Sequence, residues 1–324
     1  MTLQQLRFLS AVAQSGLNVT AAAQLLGTSQ PAISKQIKLL ERELGFNIFV
    51  RNGRLLTGMT SPGEQVVARA LHILRESRNI KGIADELKRH GRDSLVIGTT
   101  HGQARYVLPT VVRGFMTRYP RVHLHLHQGS LEQLAELARL DRFDVVVATD
   151  LARHLPQFVQ LPCYTWHPRL IVPRGHALSS SASPTLTELA THPLITNVSG
   201  ATSPAALRLL FGTRGLACKV ALTAQNADII KTYVRMGIGV GIIASVAYDA
   251  TQDADLVTLD ASGIFGPQVA AVGFPRGALL RRHVYDFVHL CAPHLERSLV
   301  ERAAELESNA QVDALFEGLE LPQR

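Results

Sequence analysis

The chain is short of several things a 324-residue protein could be built on. Its three cysteines, Cys163, Cys218 and Cys291, are odd in number and far apart, so neither a disulfide framework nor a zinc site is expected. No run of 18 apolar residues occurs, which excludes a predicted membrane-spanning helix. The first residues form a helical pattern with no export-signal core, so the expected location is cytoplasmic, away from any membrane. Internal repeats and low-complexity tracts are missing. No nucleophile is paired with a base in any evident way, so catalysis has no positive sign and the chain is read as a non-enzyme.

Acidic residues are scarce where they matter most. Up to residue 90 there are 12 Lys/Arg against 6 Asp/Glu, whereas the remaining residues hold 21 against 20. A basic N-terminal module on a near-neutral body implies a polyanionic partner for that module, with salt-dependent affinity.

What is present in that module is a two-helix reading device. Residues 19–45 read as a helix near Thr20–Leu26, with Ala21, Ala22, Leu25 and Leu26 available to pack and Gly27 closing it at positive φ. Thr28 or Ser29 can cap a second helix with Pro31 in its first turn. Ile33, Ile37, Leu40 and Leu44 form an inward stripe, and Leu3, Leu6, Phe8, Leu9 and Val12 supply a third wall. The outward side carries Gln30, Ser34, Lys35 and Lys38, suited to base edges and phosphates in a major groove. An ordinary αα-hairpin with a solvated lysine face has the same pattern. The next segment separates the two readings: Asn52-Gly53 is a hairpin signal flanked by Arg51 and Arg54, a basic wing placed to touch the DNA backbone. Double-stranded DNA is the expected partner.

Residues 61–91 read as a linker helix. Ser61-Pro62-Gly63-Glu64 has the form of a capping box, and Val67, Ala70, Leu74, Ile80, Ile83 and Leu87 form a near-heptad seam. The seam fits dimerisation, or packing on its own domain. His90, Gly91 and Arg92 read as a hinge.

Beyond residue 92 the pattern turns α/β. Strands are expected near Leu95–Gly98, Val122–His127, Val145–Ala148, Arg169–Val172, Lys219–Leu222 and Gln268–Phe274. Helices alternate with them near Val107–Tyr119, Leu131–Leu140, Leu186–Thr191, Pro204–Gly212 and Ala227–Met236, and Leu280–Glu307 reads as one long helical closing segment. Two lobes result, lobe I at about 92–163 and 268–324 and lobe II at about 164–267. Ligands of such sheets bind beyond the carboxyl ends of the strands, at helix starts. That rule selects Thr100, Gly102 and Gln103 after the first strand, Thr149 after another, Thr202 with Ser203 in the second lobe, and Trp166, the single tryptophan, near the crossover. Each hydroxyl also reads as a plain helix cap, and it is the shared topology that points to an oxyanion or small zwitterion.

Two patterns are set aside. His123, His125 and His127 alternate along a strand without a neighbouring carboxylate or cysteine, so no metal is assigned. Gly237-Ile-Gly239-Val-Gly241 misses dinucleotide-fingerprint spacing and follows a helix, so it reads as a tightly packed loop.

The runs Leu3-Gln-Gln-Leu-Arg-Phe8, Ala-Ala-Gln-Leu-Leu, Thr28-Ser-Gln-Pro-Ala-Ile-Ser-Lys35 and Leu40-Glu-Arg-Glu-Leu-Gly45 resemble the LysR-type transcriptional regulators. Thr99-Thr-His, Gln103-Ala-Arg-Tyr106, Arg118-Tyr-Pro-Arg-Val122, His127-Gln-Gly129, Leu161-Pro-Cys-Tyr164, Asp228–Arg235 and Ala292-Pro-His-Leu295 are similar to its CysB/Cbl subgroup of sulfur-assimilation regulators. The resemblance implies a winged helix-turn-helix over residues 1–60, the linker helix, and a two-lobed effector domain over 92–324 like type 2 periplasmic binding proteins. It implies a dimer of dimers, promoter DNA and RNA polymerase as partners, and no cofactor beyond a small effector. Sulfate, thiosulfate, O-acetylserine, N-acetylserine and adenosine phosphosulfate are the implied effectors of cysteine-biosynthesis or sulfonate and sulfate-ester genes. The implied contacts are Thr100, Gln103, Thr149, Trp166 and Thr202. Gly102 stands where the subgroup carries threonine, which either leaves a backbone N–H to act or makes room for a larger ligand. A two-lobed solute-binding protein is the reading from another class, but it has no use for a basic helix-turn-helix.

Overall fold

In the computed structural model, described for all residues except 54, 89–93 and 140–141, and without the side chains of 75, 78, 79 and 81–88, the chain forms two compact units. Arg54 and the expected hinge at His90, Gly91 and Arg92 lie outside the described residues.

The first unit contains helices α1 (Leu3–Gln14), α2 (Val19–Leu25) and α3 (Gln30–Leu44), strands β1 (Phe49–Asn52) and β2 (Leu55–Met59), and helix α4 (Ser61–Lys88). Asn18 caps α2, setting its start one residue earlier than expected. Ala22 and Ala23 therefore face inward, whereas Leu25 and Leu26 are exposed, as is Leu3 of α1. Ser29, not Thr28, caps α3 by accepting from Ala32 N, and Gly45 closes that helix at φ 79°. Ile33, Ile37 and Leu40 pack with Leu6, Phe8, Leu9 and Val12 in one core. In the wing, Asn52 pairs with Leu55 across a turn entered by Gly53 at φ 61°.

The expected box at Ser61 is replaced by a cap one residue earlier. Thr60 accepts from Gly63 N through its hydroxyl oxygen at 3.0 Å and donates the hydroxyl proton to Asn47 O at 2.8 Å. That arrangement presses α4 onto the start of the wing so closely that a Cβ on Gly63 would stand 2.1 Å from Ile48 O. The first half of the α4 seam serves this unit's own core, since Val67, Ala70 and Leu74 are buried in it. Ile80, farther along, is exposed.

The second unit holds two five-stranded sheets. In chain order its elements are β3 (Ser94–Thr99), α5 (Leu108–Arg118), β4 (His123–Gln128), α6 (Leu131–Arg139), β5 (Val145–Thr149), α7 (Leu151–His154), β6 (Phe158–Trp166), β7 (Pro168–Pro173) and α8 (Leu186–Ala190). There follow β8 (Leu194–Asn197), α9 (Pro204–Gly212), β9 (Val220–Ala224), α10 (Ala227–Arg235), β10 (Val240–Ala244), β11 (Leu256–Asp260), β12 (Gln268–Pro275), α11 (Arg282–Cys291), α12 (Arg297–Glu305) and α13 (Asn309–Leu315). The lobe I sheet runs β4-β3-β5-β12-β6 and the lobe II sheet β11-β7-β10-β8-β9. In lobe I β3, β4 and β5 are parallel and β12 and β6 complete the sheet through antiparallel pairings; in lobe II β8, β9 and β10 are parallel and β7 and β11 complete it in the same way. The first crossover lies at His167, between β6 and β7, slightly beyond the expected lobe boundary.

Three expectations change here. The closing segment is not one helix: Pro293 cannot donate to a helical ladder, and the chain breaks between α11 and α12. The glycine-rich run opens β10 instead of forming only a loop. Its tight packing is real, because a Cβ on Gly239 would stand 2.4 Å from Pro193 O and one on Gly241 2.6 Å from Val234 Cγ2. The nine-residue β6, interrupted in sequence by Pro162, was not anticipated. His123, His125 and His127 lie exposed on the edge strand β4.

Candidate effector and DNA-contact sites

The carboxyl ends of β3 and β5 are neighbours, since Thr99 pairs with Val147 in a parallel register. Buried Thr99 ties them together by donating its hydroxyl to Val147 O at 2.8 Å. Thr100 follows the strand and the chain turns helical at His101, with Ala104 N bonding Thr100 O at 3.0 Å. The N–H groups of His101, Gly102 and Gln103 are therefore those a helix start leaves without an internal acceptor. Residues 103–107 form a π-helical turn before α5. Gly102 is exposed, and no atom lies within 4 Å of where its Cβ would be.

The expected contacts fall into pairs. Gln103 is buried and accepts from the Tyr164 hydroxyl at 2.5 Å. Trp166 Nε1 donates to Thr149 Oγ1 at 3.1 Å, which leaves the threonine's own hydroxyl proton free to donate elsewhere. Asp150, at φ 59°, turns the chain sharply after Thr149. In lobe II the equivalent anchor is Thr196, whose hydroxyl donates to Thr202 O at 2.5 Å and holds the loop before α9. Ser203 caps α9, which assigns it the plain structural role. Among the described residues no hydrogen bond joins Thr202 to the lobe I group.

A polar contact between the lobes was missed from sequence. Asp228, in the first turn of α10, accepts from Tyr106 Oη at 2.7 Å and lies 3.3 Å from His101 Nε2 and 3.7 Å from Arg105 Nε. Gln128 Nε2 donates to His101 Nδ1 at 2.8 Å, which sets the Nε2–H of the ring toward Asp228. Partial burial pushes the Asp228 carboxyl up, but the Tyr106 and His101 hydrogen bonds and the Arg105 and Lys231 charges outweigh it, and the net displacement is downward. Burial, and then the bond to Asp228, pushes the Tyr106 phenol well up, so it stays a donor. Beside this contact is a cavity of about 660 Å³ lined by Arg105, Tyr106, Lys231, Arg235 and Tyr248 among others, and none of the expected effector residues lines it. Its charges are internally paired: buried Lys231 reaches Asp253 at 2.6 Å, and Arg235 reaches Asp253 and Asp255.

In the first unit, Gln30, Pro31, Lys35 and Lys38 are exposed on α3, and Ser34 accepts from Gln30 Nε2 at 3.3 Å. Arg51 is partly committed: its guanidinium donates at 2.7 Å to buried Glu41, whose other oxygen accepts from Ile48 N and Phe49 N. This fixes the wing to α3 and leaves Lys35 and Lys38 as the freer cations.

Among the described residues no helix is long and apolar enough to cross a membrane, and no cluster of three or more His, Cys, Asp or Glu is placed to hold a metal.

Residues 3–64 match the model of the bacterial regulatory helix-turn-helix protein, lysR family, and residues 88–296 that of the LysR substrate binding domain. The chain is 42% identical over 321 residues to the HTH-type transcriptional regulator CysB of Haemophilus influenzae, covering 99% of each. It is 40% identical over 298 residues to the HTH-type transcriptional regulator SsuR of Burkholderia cenocepacia, covering 92% of this chain and 97% of that one. The crystal structure of the cofactor-binding domain of the Cbl transcriptional regulator superposes with a TM-score of 0.61 at 34% identity, covering 67% of this chain and 97% of that one.

Proposed function

This chain belongs to the LysR family of transcriptional regulators, and on that premise we propose that it controls sulfur-assimilation and cysteine-biosynthesis genes in response to a small sulfur-related anion or an acetylserine. The observation that carries the reading is the helix start at Thr100–Gln103, set beside a Thr149 hydroxyl that Trp166 orients as a donor. The N–H groups of a helix start and the Thr149 hydroxyl suit a tetrahedral oxyanion or a carboxylate, and neither needs a lysine to be held there. Thr202 supplies the donor from the second lobe, so ligand and lobe closure are coupled.

Regulation follows as a population shift. The Tyr106–Asp228 contact spans the lobes at the same helix that offers the anion site, so occupancy alters the balance between lobe arrangements only through unequal affinity for them. In a dimer of dimers such a change resets the spacing and bending of bound promoter DNA, and with it the access of RNA polymerase. The exposed face of α3 reads the major groove, with Lys35, Lys38 and the arginines of the wing on phosphates.

A second reading, control of sulfonate or sulfate-ester utilisation by sulfate or adenosine phosphosulfate, is favoured by one feature. The open space at Gly102 accommodates a bulkier ligand than a threonine there would.

Thermal-shift titration of the full chain with sulfate, thiosulfate, O-acetylserine, N-acetylserine and adenosine phosphosulfate tests both readings. At least one compound raises the melting temperature, and Thr202→Ala abolishes the rise. Stabilisation by none of them, or an unchanged rise in the variant, contradicts the reading.

A further inference from the structure

The outer edge of β6, the strand that carries Tyr164 and Trp166, is covered by residues 322–324. Thr165 N donates to Pro322 O at 2.9 Å and Arg324 N donates to Thr165 O at 2.9 Å, a parallel pairing centred on Gln323. Since β6 is the last strand of the lobe I sheet, this segment extends the sheet by one short strand.

Arg324 makes two further contacts from that position. Its guanidinium carbon lies 4.8 Å from the centroid of the Tyr164 ring, within reach of a cation–π contact. Its carbonyl oxygen accepts from Ser245 Oγ at 2.6 Å, in lobe II, and Ser245 N bonds His167 O at the crossover. Tyr164 is 1% exposed and has one hydrogen-bonding duty, the hydroxyl it gives to Gln103 at the helix start. The chain of contact thus runs Ser245, Arg324, Tyr164, Gln103, from one lobe to the candidate effector site of the other.

We propose that Arg324 is a positioning residue of the effector site: held by its main-chain bonds to Thr165 of β6 and to Ser245 of lobe II, it covers the Tyr164 ring with its guanidinium and so fixes the hydroxyl that orients Gln103. The inference rests on the effector reading above. Arg324 itself is exposed, so its removal takes no atom from the packed core.

The test is calorimetric titration of sulfate and of N-acetylserine into the full-length wild type, Arg324→Ala, Arg324→Lys, Tyr164→Phe and the double variant. Arg324→Ala is expected to weaken binding by about two- to fivefold, in keeping with one cation–π contact made by an exposed cation, and Arg324→Lys to recover part of the loss. Tyr164→Phe keeps the ring and loses the hydroxyl, so the double variant binds no more weakly than Tyr164→Phe alone. A purely structural role would lower the melting temperature while leaving ligand affinity intact. Unchanged affinity in Arg324→Ala, or losses that multiply in the double variant, overturns the inference while the effector reading stands. Wild-type protein that takes up neither probe overturns the effector reading, and the inference falls with it. If Arg324→Ala melts early, Arg324→Gln, which keeps the side-chain bulk, carries the same comparison.

Discussion

Tyr106 Oη donates to Asp228 Oδ1 at 2.7 Å, joining the opening helix of lobe I to the first turn of α10 in lobe II. Both ends of the bond are anchored: Tyr106 packs against the lobe II core, and α10 is capped by Asn226. Replacing Tyr106 with Phe keeps the ring and removes the donor. Asp228 is 44% exposed, so after solvent screening the loss is about 1 kcal/mol. The ligand-free variant is expected to populate more open lobe arrangements, read as a larger radius of gyration in X-ray scattering and weaker effector binding; an unchanged radius and affinity would mean that the Tyr106–Asp228 bond does not restrain the lobes.

The same contact predicts an acid limb. Asp228 and Asp253 both sit below the ordinary carboxylate range in the folded chain, burial being outweighed by their hydrogen-bonded and cationic partners. A depressed folded value contributes stability above the unfolded value of about 4, and that stability is lost as pH falls through the folded value. The melting temperature should therefore hold above about pH 5 and drop below about pH 4. Asp228→Asn should flatten part of that drop, and a variant with the wild-type acid profile would assign it elsewhere.

Thr149 and Trp166 are joined by the indole N–H. Thr149→Val removes the donor and should weaken oxyanion binding by about ten- to a hundredfold, the usual loss for a hydrogen bond to a charged group. Trp166→Phe only frees the hydroxyl to rotate, and a smaller loss, about fivefold, is expected. Isothermal titration with sulfate ranks the two; the reverse order would mean that the indole, not the hydroxyl, meets the ligand.

Gly63→Ala tests the junction of α4 with the wing. Its new Cβ would overlap Ile48 O, and neither backbone can yield without disturbing Thr60. The first unit should lose about 3 kcal/mol, the upper part of the range for overpacking, seen as an early melting transition and weaker DNA binding. Lys35→Ala or Lys38→Ala should leave melting unchanged and reduce the slope of log affinity against log salt by about one each.

Periodicity made the α/β alternation, the stripe of α3 and the return of β12 readable, because each buries a face with a clear repeat. It failed where local chemistry competes. Pro162 disguised β6, whose edge pairing tolerates it, and Pro293 was overlooked inside an apolar run that resembles one helix. Thr60 outcompeted Ser61 as a cap because its hydroxyl also satisfies a carbonyl across the junction, a partner thirteen residues away that no local pattern signals. The first half of the α4 seam, Val67, Ala70 and Leu74, completes a core built by other helices, whereas Ile80 in its second half is exposed. In the site, strand ends and hydroxyls were visible from topology. Asp228 and Tyr164 were not, since their partners lie 122 and 61 residues away along the chain.

A sulfur-related anion in the effector domain should change how this regulator holds DNA, and that change is read from the bend angle and footprint of a DNA fragment selected by the full-length protein, measured with and without sulfate or N-acetylserine at saturation. At least one of them is expected to alter the bend and shorten or lengthen the protected region, and Thr202→Ala to abolish this change without reducing basal DNA affinity. An identical bend and footprint under every condition, with the ligand demonstrably bound, would contradict it.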